Sequence, residues 1–167
     1  RDSIPSERIL LTWYQATPRY DELLLPVLDE IGTQRCAVIH GDPRVADRLP
    51  REVPRTGRQA LSPRDRSKWR TEFQKCWPHW REALKTCCRL HDLPTGALEL
   101  LAHCLQIASQ RVVGSVEFLE QIRPQAILTE YDRNNLWSCL VLAARHLQIP
   151  SVTLVHGFAQ TGACWGP

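Results

Sequence analysis

Apolar residues in the first forty positions form two short continuous runs separated by a stripe with a period of three to four. The runs at 8–13 and 36–40 are short and apolar enough for buried strands. Between them, 20–31 carries a helical stripe, and Gly32 follows in the position that commonly ends a helix. This order predicts a β-α-β unit with parallel strands.

The middle of the chain has a different pattern. Residues 44–64 contain three prolines and one glycine, which predicts a loop or an irregular insertion. Helical stripes then fill about 65–122, and Pro78 predicts a kink or break in the first of two helices. The second helix is predicted from Ala97 to Ile122, where apolar residues recur every three or four positions.

The strand-helix rhythm returns in the last third of the sequence. An apolar run at 125–129 predicts a strand, and 134–148 has a helical stripe with Asn134 as its predicted cap. A final apolar run at 151–155 is closed by His156-Gly157. These elements predict a second β-α-β unit.

The whole pattern predicts an α/β fold. We expect a single Rossmann-like, three-layer domain with a parallel sheet over 1–167, in which a long helical stretch, about 65–122, is inserted between the two β-α-β units. A length of 167 residues with 43% apolar residues suits one such core. No apolar run reaches the roughly 18 residues that cross a bilayer, so a cytoplasmic location is expected.

Basic residues are concentrated in one stretch, although the net charge is only +3. Arg44–Arg70 holds nine basic side chains against three acidic ones. The stretch is either a solvated loop and helix start or a surface for a phosphate, an anionic glycan or a lipid headgroup. The second alternative includes peripheral association with the inner membrane. No nucleic-acid partner is expected, because the tryptophans share a helix with core-type residues.

The seven cysteines are interpreted as reduced thiols, because their number is odd and several lie in apolar segments. Cys76-x-x-His79 and Cys88-x-x-His91 have zinc-ligand chemistry, but their spacing matches no finger pattern. The neighbouring Trp77 and Trp80 indicate core packing instead, so no metal site is predicted. Glycine-rich phosphate loops, nucleophile elbows and His-Glu-x-x-His motifs are absent from the sequence.

Polar residues follow four predicted strands, and in open parallel sheets ligands bind outside the carboxyl ends of the strands. These loops begin at Tyr14, His40, Glu130 and His156. We therefore expect them to lie at one edge of the sheet. The His40-Gly-Asp-Pro sequence is better explained as a turn than as a site.

His156 is the sharpest candidate, because a histidine at a strand end can act as a general base near neutral pH. Its alternative role is a hydrogen bond to a loop carbonyl, and Gly157 would allow a tight turn or a close ligand. Glu130 or Asp132 could orient a sugar hydroxyl or His156, while Asp132 could instead cap the next helix. Arg133 could bind an anion or pair with Glu130.

The last third of the chain resembles the end of the N-terminal domain of bacterial GT-B glycosyltransferases. The closest likeness is to enzymes of surface and capsular polysaccharide synthesis and to the CDP-glycerol glycerophosphotransferases. The resemblance is carried by Pro124-Gln-Ala-Ile-Leu-Thr-Glu-Tyr-Asp132, Ile149-Pro-Ser-Val-Thr-Leu-Val-His-Gly157 and Trp165-Gly-Pro167. Arg8 to Ile31 is similar more loosely to the first strand and helix of such a domain, and 44–122 matches no known pattern.

The resemblance implies two Rossmann-like domains that face a cleft, with the acceptor on the first and a nucleotide-activated sugar on the second. No metal or other cofactor is implied. His156 would be the catalytic base on the acceptor hydroxyl, oriented by Glu130 or Asp132. The expected substrate contacts are Gly157, Arg133, Thr17, Gln15 and Thr161.

The resulting expectation is the acceptor-binding half of a GT-B transferase of capsule or cell-envelope polysaccharide biosynthesis. It would transfer a sugar or glycerol phosphate to a glycan or a lipid-linked acceptor. The donor-binding domain is expected after residue 167 and is absent from this chain, so the chain alone is not expected to catalyse transfer. The first alternative is half of a nucleotide-sugar 2-epimerase-like enzyme. The second is a non-catalytic Rossmann-like binding or interaction module, and such a module could form a homo-oligomer.

Overall fold

The computed structural model describes residues 7–94, 96–130 and 135–154, and its centre is one five-stranded sheet. The strands are β1 (Ile9–Trp13), β2 (Cys36–His40), β3 (Arg55–Gly57), β4 (Ala126–Thr129) and β5 (Ser151–Thr153). They lie in the order β3-β2-β1-β4-β5, and every neighbouring pair is parallel. The predicted α/β fold with a parallel sheet is confirmed.

Helices cover both faces of the sheet. They are α1 (Pro18–Ile31), α2 (Arg66–Leu90), α3 (Ala97–Ile122) and α4 (Asn135–His146). Alternate strand residues point to opposite faces, so Leu10 packs with residues of α3 and α4, while its neighbour Leu11 packs with residues of α1. Because both faces are covered, the central strands are continuous apolar runs rather than alternating ones.

Two glycines show why the helices have their observed positions. Gly32 has φ +93° and donates its N–H to the carbonyl of Leu28, so α1 ends at the predicted glycine. Gly114 lies in α3 where a Cβ would overlap the backbone of Leu61, in the turn before α2. A side chain at Gly114 would therefore push α3 away from that turn.

The structure corrects three predictions about the middle of the chain. The expected loop at 44–64 contains β3, a strand of three residues that is too short to produce a readable period. Of the kink or break predicted at Pro78, the break is absent, because α2 continues from Arg66 to Leu90. Both Pro78 and Gln74 are exposed, so water can satisfy the Gln74 carbonyl that the proline cannot reach.

The third correction concerns the aromatic stripe of α2. Trp77 and Trp80 were expected in the core, but Trp69 is the buried residue of α2 and neither of the others belongs to a core cluster. The buried residues of α3 begin at Gly114, so only its last turns pack under the sheet. None of the helices in the described ranges combines the length and apolar character that crossing a bilayer requires.

Candidate functional site

The strand order reverses direction between β1 and β4. From β1 the chain adds β2 and β3 on one side, and it then returns to place β4 and β5 on the other. In open α/β sheets, ligands bind in the crevice outside the carboxyl ends of the strands at this switch point. The loops after β1 and β4 therefore define the candidate site, and their predicted position at one edge of the sheet is confirmed.

Glu130 links the two strands at this point. It follows β4 directly and is 0% exposed. Its Oε1 accepts hydrogen bonds from the backbone N–H of Tyr14 at 2.6 Å and from Nε1 of Trp137 at 3.0 Å. Its Oε2 accepts a hydrogen bond from the Thr12 hydroxyl. One carboxylate therefore joins β1, β4 and α4.

Burial raises the pKa of the Glu130 carboxyl, because the ionised form loses its hydration. The hydrogen bonds from Thr12, Trp137 and Tyr14 act in the opposite direction, because they favour the charged form. All of these donors belong to the protein and the side chain is shielded from solvent. Glu130 is therefore a positioning residue, whose carboxylate sets the path of the loop after β1.

A second contact holds the same loop from the side of β2. Gly41 donates its N–H to the carbonyl of Trp13 at 3.0 Å. A Cβ on Gly41 would lie 2.7 Å from the carbonyl oxygen of Tyr14, so the close approach requires glycine. The Tyr14 ring also meets Trp137 edge-on, with 6.5 Å between ring centres. The start of the loop is thus fixed on both sides.

The turn after β2 is built by Asp42, as predicted. Asp42 caps the short 3-10 helix Pro43–Asp47 and accepts a bond from the backbone N–H of Arg44 at 3.0 Å. The Arg44 side chain and backbone, together with the Ala16 N–H, hold the pKa of the Asp42 carboxyl well below its usual range. The Ala16 N–H belongs to the loop after β1, so its hydrogen bond to Asp42 ties that loop to the turn after β2.

Two buried polar groups beside this turn have unused hydrogen-bonding capacity. Trp13 and His40 are register partners at the ends of β1 and β2. Within the described ranges, Nε1 of Trp13 and Nδ1 of His40 have no hydrogen-bond partner. Burial lowers the pKa of His40, which favours its neutral form. Buried polar groups are normally paired, so the Trp13 indole N–H can donate, and the His40 Nδ1 can make, one further hydrogen bond.

The remaining predicted site residues fall into two groups. Gln15 is exposed and Thr17 is half-buried, and both lie in the loop after β1. Thr17 is the N-cap of α1 but makes no capping bond with its side chain, which leaves the hydroxyl available to a ligand. The second group lies outside the described residues and comprises Asp132, Arg133, His156, Gly157 and Thr161.

The strand β5, which precedes His156 in the sequence, is paired with β4 up to its end. The Thr129 hydroxyl lies 3.1 Å from the Thr153 hydroxyl, and the Leu154 N–H donates to the Thr129 carbonyl at 2.7 Å. These contacts extend the pairing of β4 and β5 up to the carboxyl edge. The sequence reaches His156 two residues after Leu154.

Sequence reasoning missed two members of the Glu130 network. Thr12 is a fully buried hydroxyl inside an otherwise apolar strand, and that interruption was the available signal. Trp137 lies in α4 and is also fully buried, so its indole N–H needed an acceptor nearby. Neither signal alone identifies Glu130 as the shared partner.

Part of the basic stretch has a structural role. Arg48 pairs with Asp21, and Arg55 donates to the carbonyls of Ala46 and Leu49 at 2.8 and 3.3 Å. In the described part of the chain, no group of three or more His, Cys, Asp or Glu residues is placed to hold a metal ion. The six cysteines of that part are free thiols, and burial raises the pKa of Cys36.

A cavity of about 470 Å³ lies at the opposite edge of the sheet. It is lined by Arg123 and Pro124, which precede β4, and by Ile149, which precedes β5. Amino ends of parallel strands are not where ligands of such sheets bind. The cavity is therefore separate from the candidate site.

The fold and the site define an α/β protein whose parallel sheet has a switch point between β1 and β4, bridged at the carboxyl ends of these strands by Glu130. No protein-family model matches the chain, and no significantly similar curated protein or solved structure was found. The geometry of this edge and the sequence resemblance are therefore the two indications of what the chain does.

Proposed function

We propose that the chain is the acceptor-binding half of a GT-B glycosyltransferase of cell-surface polysaccharide biosynthesis. The observation that carries the proposal is the Glu130 bridge between β1 and β4 at the switch point of the sheet. The order β3-β2-β1-β4-β5 is compatible with a Rossmann-like sheet, and sheets of that class bind ligands at this point. In this proposal, α2 and α3 are an insertion between the two β-α-β units.

The residues of the edge then have distinct roles. His156 takes the proton of the acceptor hydroxyl, for which a pKa near neutral is suited. Glu130 positions the loop after β1, where Gln15 and Thr17 contact the acceptor. Asp132 orients His156.

The remaining proposed contacts and the donor complete the cleft. Arg133, Gly157 and Thr161 line the acceptor side. The donor is a nucleotide-activated sugar or glycerol phosphate, held by a second domain that follows Pro167. The acceptor oxygen forms the new bond as the nucleotide leaves with the electron pair of the bond that breaks.

The test uses the full reading frame that contains this chain. The purified protein is incubated with a panel of nucleotide-sugars and CDP-glycerol, with and without glycan or lipid-linked acceptors, and nucleotide release and transfer products are measured. His156→Ala is expected to lower kcat by about 100-fold or more, because a positioned base contributes at least that much. His146→Ala is the matched control, because His146 is exposed at the end of α4.

Two outcomes would contradict the proposal. Turnover of His156→Ala at the wild-type rate would remove the proposed base. Conversion of the nucleotide-sugar into its epimer without transfer would instead establish the 2-epimerase alternative. Loss of transfer in both histidine variants would show that the assay reports folding rather than catalysis.

Peripheral contact with an anionic membrane is part of the same proposal. Several basic side chains of the Arg44–Arg70 stretch are exposed, namely Arg51, Arg58, Arg66, Lys68 and Arg70. Liposomes containing anionic lipid should retain the protein at low salt and release it at high salt, because surface charge is screened. Equal retention by zwitterionic liposomes, or no retention at low salt, would refute the contact.

A further inference from the structure

A cavity of about 330 Å³ lies between α2 and α3, and none of its lining residues belongs to a strand of the sheet. Its apolar walls are formed by Trp69, Phe73 and Trp80 of α2 and by Val113 of α3. Ligand pockets commonly have volumes of about 300–1,000 Å³, so this one suits a small molecule. It is independent of the proposed transferase site.

The aromatic walls hold one another in place. The Phe73 ring stacks on Trp77 with 5.8 Å between ring centres and 18° between planes. Trp80 meets Phe73 edge-on at 5.6 Å, and Trp69 lies at 5.6 Å on a tilted plane. Aromatic faces carry negative charge density, and rings that are already fixed need little reordering when a cation binds.

The rim of the cavity is acidic, although α2 as a whole is basic. Three carboxylates line the cavity against the single base Lys68, whereas α2 contains seven basic and two acidic residues. The Asp65 carboxylate accepts a hydrogen bond from the Lys68 backbone N–H at 2.9 Å. The Glu117 carboxylate accepts one from the Arg64 backbone N–H at 2.7 Å. Glu72, the third acid, pairs with a lysine one turn later. The cavity lining therefore has an excess of carboxylates; backbone N–H groups hold Asp65 and Glu117 in place, whereas the lysine partner offsets part of the charge of Glu72.

We propose that this cavity binds a small organic cation, an ammonium group carried on an apolar body. The apolar body packs between Trp69 and Val113, and the ammonium group lies over the face of Trp80 near Glu72. An anion of the same shape is repelled by the three carboxylates. A neutral analogue of the same shape loses the attraction of both the ring faces and the carboxylates.

The binding test compares three probes that differ in one group, namely 2-phenylethylammonium, 2-phenylethanol and phenylacetate. Each is titrated into the full chain, and binding is followed by tryptophan fluorescence and calorimetry. The ammonium is expected to bind about tenfold more tightly than the alcohol, since a desolvated cation–π contact is of that order. Phenylacetate is expected not to bind.

Two pairs of variants locate the site. Trp80→Leu should weaken binding of the ammonium about tenfold, whereas Trp77→Leu should not, because Trp77 contacts Phe73 but does not line the cavity. Glu72→Gln should weaken binding several-fold, and Glu82→Gln should leave it unchanged. Both glutamates pair with a lysine three residues later at 2.7 Å, but only Glu72 lines the cavity.

Several results would overturn the proposal. The proposal that the cavity binds a cation would be refuted by equal affinity for the alcohol, by tighter binding of phenylacetate, or by no saturable binding at millimolar ammonium. An equal loss of ammonium affinity in Trp77→Leu and Trp80→Leu would indicate a general effect on α2 rather than a binding site. A self-associated form that Trp80→Leu converts to monomer would assign the cavity to a second copy of the chain instead.

Discussion

Replacement of Glu130 tests whether its carboxylate holds β1, β4 and α4 together at the switch point. Glu130→Gln keeps an oxygen that can accept from Tyr14 and Trp137, and its new NH₂ group can donate to the Thr12 hydroxyl. Glu130→Ala removes the acceptor altogether. The two variants therefore separate the shape and hydrogen bonding of the side chain from its charge.

The hydrogen bonds that Glu130 accepts determine how far Glu130→Ala should lower the free energy of unfolding. Without Glu130, the buried Trp137 indole N–H and the partly buried Tyr14 N–H lose their acceptor. Each buried donor left without a partner costs about 1–3 kcal/mol. Glu130→Ala should therefore lower the free energy of unfolding by about 2–6 kcal/mol, a large share of what a domain of this size usually has.

The effect of Glu130→Gln on the free energy of unfolding depends on pH. Because the pKa of Glu130 is raised in the folded protein, the folded state binds more protons than the unfolded state. The stabilising contribution of this carboxyl is fully present below its ordinary pKa of 4.5 and is lost as the pH rises through the raised value. Glu130→Gln does not titrate, so its stability relative to the wild type should increase with pH. Each unit of the shift is worth about 1.4 kcal/mol.

Denaturant unfolding of the wild type and both variants from pH 4 to 8, followed by circular dichroism, measures these differences. Glu120→Gln is the control, because Glu120 is an exposed residue of α3. A wild-type advantage over Glu130→Gln that grew with pH would refute the sign of the argument. Wild-type stability in Glu130→Ala would show that the two N–H groups find other acceptors.

Two further predictions follow from packing. Gly114→Ala should lower the unfolding midpoint in denaturant, because its Cβ overlaps the Leu61 backbone, whereas Gly96→Ala meets nothing within 4 Å and should leave the midpoint near the wild-type value. Cys36 is buried and its pKa is raised, so iodoacetamide should label exposed Cys76 much faster in the native protein. Mass spectrometric mapping would measure both rates, and equal rates would contradict the burial of Cys36.

Elements with a strong local pattern could be predicted from the sequence. The stripe from Ala97 to Ile122 gave both ends of α3, and Gly32 correctly marked the end of α1. The strand β3 was missed because three residues cannot show a period of two and because its pairing with β2 is a tertiary property. The helix α2 is unbroken at Pro78, because an exposed helix face tolerates a carbonyl that only water satisfies.

The candidate site was predictable in place but not in detail. Parallel strands bring their carboxyl ends to one edge, so the position of Glu130 and Gln15 near that edge follows from the order of elements. The burial of Glu130 does not follow, because it depends on Thr12 and Trp137, which lie on two other elements. A single sequence shows that each of these side chains needs a partner, but not which partner it has.

The contact between Thr12 and Glu130 joins residues 118 positions apart, which has a consequence for how the protein folds. β1 and β2 are separated by one short helix, whereas β1 meets β4 only after both long helices have been placed. Closing this loop costs more entropy than closing the loop between β1 and β2, although the cost rises only with the logarithm of length, and pairings of high contact order are slow to form. We expect the pairing of β1 with β4 to be the last part of the sheet to assemble. A ligand that spans β1 and β4 would then stabilise the closed sheet by mass action.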